Sequence, residues 1–173
     1  MGFSPSQPTN YSWALPGVRP RIPYENPQGR RLNVLAALVA DGPDPTLIWW
    51  ALPRTLTSEE LLVFLREALP PGPTPRVVVL DNASMHVSGA VQQARPDLAR
   101  DGVHLEYLPP YSPELNRIEP LFGAIKHHDL PERSYPTLYG LYQAVTAAFG
   151  RAEDRLLAHA ERRKHEYQLG LAA

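Results

Sequence analysis

The sequence has no cysteine. That absence excludes a disulfide framework, thiolate nucleophiles and cysteine-based zinc or iron–sulfur sites. Neither sign of charge is in excess: 17 Lys+Arg face 18 Asp+Glu, a formal net charge of −1. Any attraction for nucleic acid must therefore come from local patches rather than from the whole chain. Long apolar runs are also missing. Stretches such as Leu47–Leu52 are far too short to cross a bilayer, and no charged-then-apolar leader opens the chain. Proline is plentiful, with 20 residues beside 11 glycines, but the two together stay below the level of a low-complexity chain. A length of 173 residues suits one domain that buries a sizeable core. The expectation is a soluble, cytoplasmic, single-domain protein.

The order of elements is α/β. Residues 1–31 carry Pro5, Pro8, Pro16, Pro20, Pro23 and Pro27 and read as an extended loop with one short strand around Tyr11–Leu15. The apolar run Leu32–Ala40 stops at Asp41-Gly42-Pro43, a turn signal. The β-forming run Thr46–Leu52 follows, so the two predict a hairpin. Thr57-Ser58-Glu59-Glu60 is a capping box, continued at helical spacing by Leu61, Phe64, Leu65, Ala68 and Leu69. Pro70, Pro71, Pro73 and Pro75 end that helix. Arg76–Leu80 is β-branched and apolar on both faces, the pattern of a central parallel strand. A helix over Gly89–Arg100, a strand over His104–Leu108 and a rigid loop Pro109-Pro110-Tyr111-Ser112-Pro113 come next. A further helix starts near Asn116 with an apolar stripe of Ile118, Leu121, Phe122 and Ile125. From Thr137 onward the chain reads as mostly helical.

Two acids stand where chemistry is usually placed. Asp81 ends a buried strand, and open α/β sheets bind ligands at the carboxyl ends of their strands. Glu119 lies in the first turn of a helix. Each also has a purely structural explanation: Asp81-Asn82 as a turn held by its own side chains, and Asn116 with Glu119 as a capping pair favoured by the helix dipole.

Taken together, the residues carry more. The chain reads Val77-Val78-Val79-Leu80-Asp81-Asn82-Ala83-Ser84-Met85-His86, then Tyr107-Leu108-Pro109-Pro110-Tyr111-Ser112-Pro113-Glu114-Leu115-Asn116-Arg117-Ile118-Glu119. This resembles the catalytic core of the DDE transposases, in particular their mariner-related bacterial insertion-sequence branch. Its hallmarks are a strand ending in Asp-Asn with a nearby His, the Pro-Pro-Tyr-Ser-Pro loop, and Asn-x-x-Glu opening a helix. Gly2-Phe3-Ser4, Tyr11-Ser12-Trp13 and Lys126 extend the likeness through most of the chain.

The resemblance implies a ribonuclease-H-like mixed sheet with flanking helices and three metal-binding carboxylates. It implies Mg²⁺ or Mn²⁺, as two ions, activating water or a DNA 3′-hydroxyl for in-line attack on a phosphodiester. Matching motif positions makes Asp81 the second acid and Glu119 the third, both catalytic and metal-binding, with Asn82, His86, Asn116 and Lys126 as supporting or DNA-contacting groups. The implied partners are transposon-end and target DNA, and a second copy or a full-length transposase; no membrane is involved, and the implied location is the nucleoid. Independently, hard divalent cations prefer the oxygen donors that this chain offers.

The family's first acid belongs to an Asp-Glu-x-Gly-Phe pattern on a first, central strand. Here Met1 takes the x position, so the acid, its strand and the upstream helix-turn-helix region are expected to be missing from residues 1–173. A misplaced start codon, a split reading frame or decay of the element would each account for that. Asp41 and Asp44 follow the antiparallel strand and emerge at the wrong end of the sheet, and Glu25 has no positional match, so none is expected to substitute. The runner-up function is a non-catalytic remnant that binds DNA or a transposase partner without cleavage, and an RNA-cleaving nuclease of the same fold ranks third. Arg117 stands where the family usually has Pro, Pro120 follows Glu119 directly, and Phe122 replaces a frequent Trp. His127-His128-Asp129 reads as a solvated helix end, Trp49-Trp50 as alternating faces of a strand, and the Arg19/Arg21 and Arg30/Arg31 pairs as loop charge able to meet phosphates. Arg162-Arg163-Lys164 reads as a solvent face.

Overall fold

The apolar runs on either side of the Asp41-Gly42-Pro43 turn signal form the hairpin their composition predicts. The structure, a computed structural model, describes residues 1–5, 15–18, 31–39, 45–69, 74–130 and 135–171. Strand β2 (Leu32–Val39) pairs antiparallel with β3 (Thr46–Leu52), in a register running from Asn33 opposite Leu52 to Val39 opposite Thr46. The short strand expected at Tyr11–Leu15, the Arg19, Arg21 and Arg30 charges, Glu25, and the Asp41 and Asp44 turn lie outside the described residues, Leu15 alone excepted.

Period-two alternation gives the hairpin two apolar faces, and each recruits its own helices. Leu32, Val34, Leu47 and Trp49 face a core completed by Ile125, Leu141, Val145 and Phe149. Leu35, Ile48 and Trp50 face a second core built from Leu61, Phe64, Leu65, Leu80, Val91 and Leu98. The two tryptophans divide as the alternation requires: the Trp49 ring lies 4.9 Å from Phe149, and Trp50 lies 5.2 Å from Phe64. The result is a layer of strands between helix α4 (Leu138–Leu171) on one face and helices α1 (Ser58–Glu67) and α2 (Gly89–Arg100) on the other. Among the described residues, no helix is long and apolar enough to cross a membrane.

Helix α1 starts at the predicted capping box. Glu60 Oε2 accepts the Thr57 N–H at 2.7 Å and the Thr57 hydroxyl, while Arg54 Nε pairs with Oε1 at 3.0 Å. The Thr57 hydroxyl contact is the main reason the Glu60 carboxyl is held below its ordinary value of 4.5. A carboxyl depressed in the folded state stabilises the fold above its unfolded pKa and loses that contribution as pH falls through the folded value. Glu60→Gln is therefore expected to lower the melting temperature at neutral pH and to match the wild type in strong acid; thermal melts across pH check this.

Strands β4 (Arg76–Leu80) and β5 (Val103–Tyr107) pair in parallel, with Arg76 opposite Val103 and Leu80 opposite Tyr107. The chain enters β5 through Gly102, whose φ of +80° suits glycine, and Gly102 O accepts the Arg76 N–H at 2.7 Å. Three expectations need correction here and at the amino terminus. First, β4 is not buried on both faces: Val77 and Val79 are 61% and 55% exposed. Among the described residues β4 pairs only with β5, so the strands form separate three- and two-stranded sheets. Second, a two-residue strand that was not expected, β1 (Gly2–Phe3), lies antiparallel to β2, with Gly2 opposite Asn33. A Cβ on Gly2 would come within 2.9 Å of Asn33 Oδ1, so a larger residue there would have to displace the Asn33 side chain. Third, Asp129 is not part of a solvated helix end.

Residues Ile125–Asp129 continue α3 (Ile118–Ala124) as a π-helical turn, which carries Asp129 to an 8% exposed position. There Arg155 grips its carboxylate with two bonds of 2.7 and 2.5 Å, and Arg151 donates to its backbone carbonyl at 2.5 Å. The Asp129 hydrogen bonds raise the Arg155 pKa further. His127 and His128 remain exposed. Arg155→Ala would leave a buried carboxylate without its counter-charge. Because the Arg155 side chain is itself 50% exposed, the expected loss is about 1–3 kcal/mol, below the figure for a fully buried pair, as read by urea unfolding.

Candidate active site

Parallel pairing of β4 and β5 sends both strands out at the same end. The chain leaves β4 at Asp81 and leaves β5 at Leu108, where the Leu108 N–H still bonds Leu80 O at 2.9 Å. Asn82 Nδ2 reaches across to Leu108 O at 2.8 Å and ties the two exits together. Pro109, Pro110 and Pro113 then fix φ along the connection, which runs through a 3-10 turn at Pro113–Leu115 into α3. Glu119 is in the first turn of α3. By this route Asp81 and Glu119 line one cavity of about 450 Å³, together with Asn82, Asn116 and the Leu108–Pro113 segment.

The Asp81 side chain is 44% exposed, and its two oxygens have different duties. Oδ1 accepts the Ala83 N–H at 3.0 Å and meets His86 Nδ1 at 2.6 Å. The local turn that offered a structural account of Asp81-Asn82 is thus present, but it uses one oxygen only. Among the described residues, Oδ2 and both oxygens of exposed Glu119 have no hydrogen-bond partner. His86 is held in turn: its ring also approaches Asp81 O at 3.3 Å, and its carbonyl accepts the Tyr107 hydroxyl at 2.8 Å. Tyr107 is anchored by Gln92 Nε2 at 3.1 Å, with Arg95 5.5 Å over its ring. Ser58 Oγ donates to Met85 O at 3.1 Å, pinning the same loop to α1. No sequence signal gave Tyr107, Gln92 or Ser58 these contacts, because they depend on partners brought in by the fold.

Asn116 does not cap α3 through its side chain. It closes the preceding 3-10 turn, and its carbonyl accepts the Glu119 N–H at 3.0 Å. The helix begins two residues later than the sequence predicts, because the 3-10 turn takes Asn116 and Pro120 supplies no N–H to the first turn of α3. Lys126 is absent from the cavity lining; its Nζ lies 5.8 Å over the Phe3 ring.

The Met1 nitrogen donates to Val34 O at 2.8 Å. Burial lowers its pKa from the ordinary 8.0 and Lys126 adds to the effect, while Glu119 and Asp81 act in the opposite direction.

The donor set bears on a metal. Among the described residues, no group of three or more His, Asp or Glu side chains is placed to hold an ion. Two carboxylates with unused oxygens, beside the amides of Asn82 and Asn116, nevertheless suit a hard cation of the magnesium type. Such an ion keeps several waters and is commonly bound by one or two carboxylates plus a substrate phosphate. The same set offers no thiolate, and His86 is turned toward Asp81 rather than the cavity, so a soft-metal site does not fit.

The architecture is mixed α/β, consistent with a ribonuclease-H-like fold, with Asp81 at the carboxyl end of a parallel strand pair and Glu119 of α3 lining the same cavity. The family model of the DDE superfamily endonucleases matches residues 1–141, and the chain belongs to that family. No curated protein matches it. The family is one of transposase-type nucleases that act on DNA and generally use divalent metals.

Proposed function

We propose that the chain is the catalytic domain of a DNA transposase of the mariner-related insertion-sequence branch, cleaving and rejoining phosphodiesters at transposon ends. The observation that carries this reading is the shared cavity of Asp81 and Glu119. Asp81, through Oδ2, and Glu119 would hold Mg²⁺ or Mn²⁺, with two ions in the full reaction. The bound cation supplies Lewis acidity and a water of lowered pKa. His86 and the Ala83 N–H keep Asp81 oriented by occupying Oδ1. Asn82 fixes the spacing between the strand end and the proline loop through Leu108. DNA is the substrate, and the partner is a second copy or a full-length transposase, at the nucleoid.

The second edge of β4, unpaired among the described residues, and the two-residue length of β1 on the edge of β2 support a sheet in which the strand between β2 and β4 is present only as β1. That strand would carry the family's first acid. The two-carboxylate donor set favours one competing reading, a remnant that binds DNA or a transposase partner without cutting.

Oligonucleotides carrying the element's ends decide between them. Strand cleavage that requires Mg²⁺ or Mn²⁺ and stops with EDTA is expected from a catalytic domain. Binding of the same ends without cleavage under any metal would establish the remnant instead.

A further inference from the structure

Tyr111 has a backbone conformation that its side chain disfavours. Its φ is +58°, the one positive value among the described non-glycine residues, and this left-handed region crowds Cβ against the backbone. Strain of this kind is ordinarily offset by packing, yet the Tyr111 side chain is 101% exposed and touches nothing that would offset it. Strained residues that the fold does not use gather at functional sites.

The surroundings show what the ring can do. The loop is fixed at one end by Asn82 on Leu108 O and at the other by the 3-10 turn that starts at Pro113. Tyr111 is thereby held at the rim of the cavity that contains Asp81 and Glu119. Exposed Pro109, Pro110 and Pro113 flank it, and Leu115 nearby is 53% exposed. Residues 108–116 contain no Lys or Arg, their one charge is the anionic Glu114, and the adjacent Arg117 is not among the residues lining the cavity. Such a rim cannot draw a phosphate by charge. What it presents is an apolar surface with a protruding aromatic face, beside an acidic floor suited to a cation and a phosphate.

We propose that Tyr111 contacts the DNA substrate by stacking on an unpaired nucleobase next to the scissile phosphate. Bases within a duplex already have both faces covered, so the ring selects a strand that is frayed or opened at the site. The inference rests on the reading of the cavity as a DNA site.

The test uses duplex oligonucleotides in Ca²⁺ buffer, with 2-aminopurine at successive positions of a frayed end, against a fully paired control. Wild type is expected to quench the fluorophore at one unpaired position. Tyr111→Ala should lose that quenching and bind the frayed duplex about 5- to 150-fold more weakly, the range that one aromatic–base stack is worth. Tyr111→Phe and Tyr111→Trp should retain both, and all variants should bind the paired control alike. Tyr111→Gly should lose the stack yet melt about 2–4 °C higher, because glycine tolerates the left-handed backbone. Unchanged quenching and affinity in Tyr111→Ala would overturn the stacking role and leave the DNA reading standing. Failure of wild type to bind either duplex would overturn the DNA reading itself, and the stacking role with it.

Discussion

Asp81→Asn is expected to remove metal-dependent DNA cleavage, by about 10³-fold or more, while leaving the fold intact. The asparagine Oδ1 can still accept the Ala83 N–H and meet His86 where Asp81 does now, so the turn at the end of β4 survives. What disappears is the negative charge on an oxygen that no protein group uses among the described residues. Electrostatic stabilisation by a bound cation is worth several kcal/mol, and each 1.36 kcal/mol is a factor of ten. Glu119→Gln should show a loss of similar size for the same reason. Cleavage rates in Mg²⁺, measured beside melting curves, separate loss of charge from loss of fold. Full activity in Asp81→Asn would remove Asp81 from the reaction.

Phe149→Ala carries the largest expected cost in stability, about 3–5 kcal/mol. Phe149 is fully buried and sits at the meeting point of three elements. Its ring lies 6.2 Å from Phe3 on β1, 4.9 Å from Trp49 on β3 and 6.5 Å from Phe122 on α3. Truncation would open a cavity among aromatic rings anchored to different elements, which cannot collapse together to fill it. Because Phe122 lies on α3, the helix that carries Glu119, the variant should also weaken metal binding. Denaturant unfolding measures the first effect, and Mn²⁺ titration of the folded fraction measures the second.

Much of the fold was legible because its signals are local. The hairpin strands, the capping box at Thr57, the helix over Gly89–Arg100 and the parallel strands around it were each set by a period, a cap or a turn within a few residues. What sequence could not supply depended on distant partners. The pairing of Gly2 with Asn33 brings in a two-residue segment with no strand pattern of its own. Asp129 owes its burial to Arg155, 26 residues away. The apolar composition of β4 suggested two covered faces, but covering Val77 and Val79 needs a neighbour that composition cannot provide.

At the site, the motif singled out Asp81 and Glu119, and the parallel pairing of β4 with β5 accounts for their arrival at one cavity. The structural alternative for Asn116, a side-chain cap on α3, does not form because the 3-10 turn takes it. The left-handed backbone of Tyr111 was not legible at all, since tyrosine is among the residues least expected there.

Mn²⁺ affinity across a double-mutant cycle of Asp81→Asn and Glu119→Gln, followed by calorimetry, tests most directly whether the two acids act as one site. Joint coordination predicts that either substitution alone weakens binding and that the double variant is scarcely worse than the single ones. Wild-type binding left unchanged by both substitutions, or losses that simply add, would show that positions 81 and 119 do not share an ion.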